Sequence, residues 1–299
     1  MHKYFSQLLI VFICLFAQAY AQVPDSLNVI KSKSALIYYS AGYEQRANDI
    51  AKRVEKAITW YQQLLEAKPD VTLMVLSAAD WKKHTSMGAV YGMPHINPKN
   101  KTLYVAAEDN PFWKSFLPPL NQLPPALGEQ IQKVYTNNNG NISMQAFFDL
   151  LAIHELGHAF HYQAGLNMQR KWMGELFVNI LLHAYIAENE PELLPALTLF
   201  PKMVVAGGSK AFKFTSLQDV EDRYDEIARD YPKNYGWYQC RWHSAAAGIY
   251  DAAGKQAGKK LWLALKSKKE KLTDKQLIDF LKLSTDKTVA DVIETWDEQ

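Results

Sequence analysis

His154, Glu155 and His158 form a His-Glu-x-x-His pattern, and that spacing carries definite chemistry when it falls on a helix. Residues four apart stack on one helix face, so both imidazoles reach a common point. Two imidazoles in that relation grip one zinc ion at about 2.0–2.1 Å each. Glu155 is turned by about 100° from His154 and leans toward a water beside the ion without displacing it, as a general base must.

Zinc that does chemistry takes three protein ligands and leaves one position open. His161 is seven residues beyond His154, about 10 Å along the helix axis, which suits a supporting or core-facing role better than that of third ligand. Glu175 is the better candidate. It falls 17 residues after His158, behind Trp172, and a turn at Gly165 lets its helix fold back across the first. Glu188, Glu190 and Glu192 cluster around Pro191 and read as solvated. Asn179, one turn beyond Glu175, either supports a ligand histidine by a hydrogen bond or is a plain polar helix position.

The elements that must position these groups follow from periodicity. Apolar residues from Ile50 to Leu65 at helical spacing predict a helix over 43–67, ended by Lys68-Pro69-Asp70. Val71 to Leu76 reads as a buried strand and Ala78 to His84 as one or two helical turns. Gly88–Ile96 and Lys101–Ala106 read as strands around the turn Asn97-Pro98-Lys99-Asn100. Leu117–Pro125 and Asn137–Asn141 read as loops. Ser143 is the expected N-cap of the motif helix, which Gly165 stops. Helices over about 172–187 and 237–253 follow, the latter closed by Gly254, and two more complete the chain. Strands first and helices later predict an α+β fold.

Composition bounds the function. The chain has 299 residues, 48% of them hydrophobic, and a formal net charge of +2. That is enough for a full core and gives no electrostatic case for nucleic acid or an anionic membrane. Lys3, the apolar run Leu8–Ala17 and Ala19-Tyr20-Ala21 have the order of a cleaved secretory signal peptide over 1–21. The expected product is exported, periplasmic or extracellular, with no stable membrane anchor. It retains Cys240 alone, expected as a buried apolar group. The mature chain then divides into an N-terminal α/β part (22–142) and a helical zinc-binding part (143–299) of one catalytic domain.

His154-Glu155-x-x-His158 followed by Trp172-x-x-Glu175 resembles the gluzincin metallopeptidases, the thermolysin and aminopeptidase clan. The likeness spans about residues 70–265, and the two motifs are its specific part. It implies a zincin-like domain in which His154, His158 and Glu175 hold one zinc and Glu155 activates water for attack on a peptide or protein substrate. It also implies a phenol on a later helix as oxyanion donor, for which Tyr238 and Tyr235 are the candidates, with His243 in reserve. The Gly-x-Met-Glu-Asn clamp of the aminopeptidases has no counterpart here; Gly92-Met93-Pro94-His95 lacks its Glu. Two other readings belong to the same residues: a non-catalytic exported binding protein, and a zinc amidase acting on a non-peptide or cell-wall amide.

Overall fold

A computed structural model describes residues 26–32, 35–85 and 90–298. The expected signal peptide, with Cys14, lies outside the described residues, as does the start of the strand expected over Gly88–Ile96. In chain order the elements are β1 (Leu27–Lys31), β2 (Leu36–Ser40), α1 (Glu44–Leu65), β3 (Thr72–Leu76), α2 (Ala78–His84), β4 (His95–Asn97), β5 (Thr102–Ala106) and α3 (Pro111–Lys114). There follow α4 (Pro125–Tyr135), α5 (Gln145–Gln163), α6 (Lys171–Asn189), α7 (Leu194–Ala206), α8 (Leu217–Asp230), α9 (Pro232–Ala253), α10 (Gln256–Ser267), α11 (Asp274–Ser284) and α12 (Lys287–Glu294).

The strands form one mixed sheet in the order β1-β2-β3-β5-β4. β2, β3 and β5 run parallel, and the outer strands β1 and β4 pair antiparallel to them. β5 is buried along its whole length, so it reads as a continuous apolar run. The fold is therefore mixed α+β, a small sheet joined to a larger body of helices.

α5 lies between these two bodies. It packs on β4, β5 and α1 on one side and on α6 and α7 on the other. A helix covered all round needs no polar face, and α5 buries twelve of its residues, among them His154, His158 and His161. α6 is likewise buried from Trp172 through Ile186 and packs on α5, α8 and α9. The crossing of α5 and α6 is close at Gly157, where an added Cβ would lie 3.0 Å from Val178.

Several expectations change. Leu27–Lys31 and Leu36–Ser40, passed over in the sequence, form the strands β1 and β2. Among the described residues of the strand expected over Gly88–Ile96 only His95 and Ile96 are strand, and β4 takes in Asn97 of the expected turn; Gly92 adopts φ +104 and turns the chain ahead of Pro94. The loop expected up to Pro125 gives way to α4, in which proline opens the helix rather than breaking it. α7 and α8 were not anticipated, and α9 is followed by three helices rather than two. In α8 only Val220 and Ile227 are buried, too few to mark a period among its charges. The N-cap of α5 is Met144; Ser143, just before it, accepts from the Gln145 N–H and donates to Asp109. Glu190 is not solvated but pairs with Arg53 at 2.9 Å. Among the described residues no helix is long and apolar enough to cross a membrane.

Candidate metal centre

His154 and His158 project from the middle of α5, one turn apart, toward the first turns of α6. The turn that returns the chain uses Gly165 at φ +60, with the Leu166 N–H donating to the His161 carbonyl. The start of α6 is then pinned from α8: the Lys171 N–H donates to Glu221 at 2.6 Å. Arg170 adds an ion pair with Asp274. Four residues on, Glu175 faces the two histidines.

Three atoms converge there. His154 Nε2 lies 3.1 Å from Glu175 Oε2, His158 Nε2 lies 3.4 Å from the same oxygen, and the two Nε2 atoms are 3.2 Å apart. Ligands at about 2.05 Å around a tetrahedral ion are about 3.3 Å from one another, so the triangle has the size such a site needs.

Proton placement says the same. His154 Nδ1 is 3.0 Å from Asn179 Oδ1, an atom that only accepts, so Nδ1 carries the proton and Nε2 presents a lone pair. His158 Nδ1 is 2.8 Å from Nε2 of His161, whose pKa burial pushes down to about 3, leaving it neutral and able to accept. Two bare nitrogens and a carboxylate oxygen then face one another in a buried space. Burial would raise the Glu175 carboxyl, but His158 and His154 outweigh it and hold it well below the usual range. Burial opposes charge on His158 as well, yet Glu175 raises its pKa. The cluster demands positive charge, which a proton or a cation supplies. His154, His158 and Glu175 thus form a buried group that could hold a metal ion.

Glu155 borders this triangle without joining it. Its Oε1 is 3.9 Å from His154 Nε2, and its Oε2 accepts the Ile96 N–H of β4 at 3.0 Å. Its side chain is 18% exposed against 9% for Glu175, so it faces the more open side. Tyr162, half exposed, lies face to face on the His158 ring at 5.6 Å.

The two expected phenols part company. Tyr238 is not brought to the cluster. Its hydroxyl donates to the Ser216 carbonyl at 2.8 Å, and its ring stacks on Trp242 and Trp296. Tyr235 does lie in the surrounding network, 2.8 Å from both the Tyr224 hydroxyl and Gln239 Nε2. His243 is buried with its ring 6.1 Å from that of His154.

Tyr224 and Gln239 escaped the sequence reading although both touch Glu175. The Tyr224 hydroxyl donates to Oε1 at 2.6 Å, and Gln239 Nε2 donates to Oε2 at 2.9 Å. Tyr224 was hidden because α8 was not foreseen. Gln239 was passed over because a phenol was sought on that helix. Compared with protein-family models and with curated proteins, the chain matches neither.

Proposed function

We propose that this chain is an exported single-zinc metallohydrolase with a zincin-like catalytic domain, and that its substrate is a peptide or protein. The observation that carries the reading is the buried convergence of two proton-free imidazole nitrogens and one carboxylate oxygen, with a fourth group, Glu155, beside them but not among them. That donor set is the one zinc hydrolases use, and it leaves an open position. Zinc bound there polarises a carbonyl and acidifies water at neutral pH.

The chain's own residues do the rest. Ile96 fixes the Glu155 rotamer by donating to Oε2, which leaves Oε1 turned toward the cluster to take a proton from water and pass it to the leaving amine. Asn179 and His161 hold the imidazoles in the tautomer that exposes Nε2. Tyr235 is the remaining phenol candidate for the developing oxyanion, once its hydroxyl rotates away from Tyr224.

One observation favours the second reading, an amidase acting on a non-peptide or cell-wall amide. β4 is the sheet edge nearest the cluster. Ile96 spends its N–H on Glu155, and prolines flank the strand at positions 94 and 98. Neither proline has an N–H and that of Ile96 is taken, so an extended peptide added to this edge finds acceptors but no donors.

The test is metal analysis of the purified mature chain together with digestion of a peptide library, casein and peptidoglycan fragments. About one zinc per chain, strongly weakened retention in Glu175→Ala and peptide products are expected. Products from cell-wall fragments alone select the amidase. A chain that holds zinc but turns nothing over is a binding protein, and one whose zinc is unaffected by Glu175→Ala refutes the ligand set.

A further inference from the structure

The groups around Glu175 close into a ring whose hydrogens can all be assigned. A carboxylate oxygen accepts, so the hydroxyl and the amide that reach Glu175 must donate. Tyr224 has one hydroxyl hydrogen and spends it on Oε1 at 2.6 Å. Between Tyr224 and Tyr235, 2.8 Å apart, the donor must then be Tyr235. Gln239 Nε2 carries two hydrogens, one for Glu175 Oε2 at 2.9 Å and one for the Tyr235 oxygen at 2.8 Å. The circuit runs Gln239 to Tyr235 to Tyr224 to Oε1, and from Gln239 again to Oε2.

This ring treats the two carboxylate oxygens differently. Oε2 is the atom shared with both histidines, at 3.1 and 3.4 Å. Oε1 is engaged on the other side by the short bond from the Tyr224 hydroxyl. We infer that Tyr224 is a positioning residue that restricts Glu175 to a single metal-facing oxygen, with Tyr235 and Gln239 holding Tyr224 and the carboxylate plane in place. A carboxylate free at both oxygens can chelate one ion with both, which adds a fifth ligand atom beside the water and crowds the position a substrate carbonyl needs. Tyr224 prevents this by occupying Oε1. The inference rests on the reading of His154, His158 and Glu175 as metal ligands and adds to it how the open position is kept open.

Cobalt(II) in place of zinc reports coordination number through its visible absorption, intense when four-coordinate and weak when five-coordinate, whether or not a substrate is known. The cobalt-loaded parent is expected to give the intense spectrum, and Tyr224→Phe the weak one. Tyr224→Phe should keep zinc within about threefold of the parent while any turnover falls by about 10–100-fold. Tyr185→Phe, which removes a buried phenol on α6 that bonds Glu190 instead, should leave the spectrum unchanged. A Tyr224→Phe spectrum identical to the parent's overturns the inference and leaves the metal reading standing; a parent that binds neither cobalt nor zinc removes both. If Tyr224→Phe does not fold, a crystal structure of the cobalt-loaded parent decides. Glu175 bound through Oε2 alone supports the inference, and ligation by both oxygens refutes it.

Discussion

Glu155 and two of the phenols of α9, Tyr235 and Tyr238, show how far one side chain's role depends on where its polar atom points. Glu155 has one oxygen on a main-chain N–H and the other beside the cluster, so Glu155→Gln can keep the Ile96 bond through its amide oxygen. That variant should retain metal and fold but lose about 10²–10⁴-fold in hydrolysis, measured as turnover beside zinc content. Tyr235→Phe should lower kcat by about 10²–10³-fold with little change in KM or zinc, as an oxyanion donor acts mainly in the transition state. Tyr238→Phe should do the reverse. Turnover should be unchanged, while unfolding in urea should cost about 1 kcal/mol less because the Ser216 carbonyl loses its partner. Equal kinetic losses in both phenylalanine variants would contradict this assignment.

At the scale of elements, the convergence of His154, His158 and Glu175 depends on how closely α6 crosses α5. Gly157, between His154 and His158, allows Val178 to approach where a Cβ would meet it at 3.0 Å. Gly157→Ala should push α6 away, lowering stability by about 1–3 kcal/mol and weakening zinc retention, since Glu175 moves with α6. Gly248→Ala is the counterpart on α9. That position is exposed, helical and open, with nothing within 4 Å of an added Cβ. It should gain up to about 1 kcal/mol from helix propensity alone and leave metal binding untouched. Urea midpoints and zinc content of the two variants check both signs. A stabilised Gly157→Ala would show that the crossing has room to spare.

For the whole molecule, stability should depend on pH and on metal. Burial, then the nearness of His154 and His183, pushes the His243 pKa from 6.5 to about 3. The unfolded chain therefore takes up a proton below pH 6.5 that the folded chain refuses. The stabilisation is complete above that pH and is lost as pH falls toward 3, by about 1.4 kcal/mol per unit. His243→Gln should flatten the stability profile by that slope between pH 6 and 4, as measured by denaturant unfolding. A ligand that binds only the folded state adds about 2.7 kcal/mol at a hundredfold excess over its Kd, so zinc should raise Tm and a chelator should reverse it.

The sequence determined what local spacing can determine. An i, i+4 histidine pair shares a helix face by geometry, the glutamate between is turned aside, and an apolar stripe at helical spacing, such as that from Ile50 to Leu65, must be buried. The mixed α+β class and the existence of α1, α5, α6 and α9 followed from that, and Glu175 was reachable because one turn at Gly165 joins two adjacent helices. Tertiary structure alone decided which groups surround that carboxylate. Tyr224 is 49 positions from Glu175 and Gln239 is 64, on helices whose own pattern says nothing of a partner so distant. The same holds for the edge strand: Ile96 meets Glu155 across 59 positions through a backbone N–H, a group every residue but proline carries and no side-chain pattern marks. Tyr235 and Tyr238 are three apart and equally placed by spacing. They were separated by the packing of α9 against α6 and α8, which turned one hydroxyl to the metal centre's support and the other to the Ser216 carbonyl.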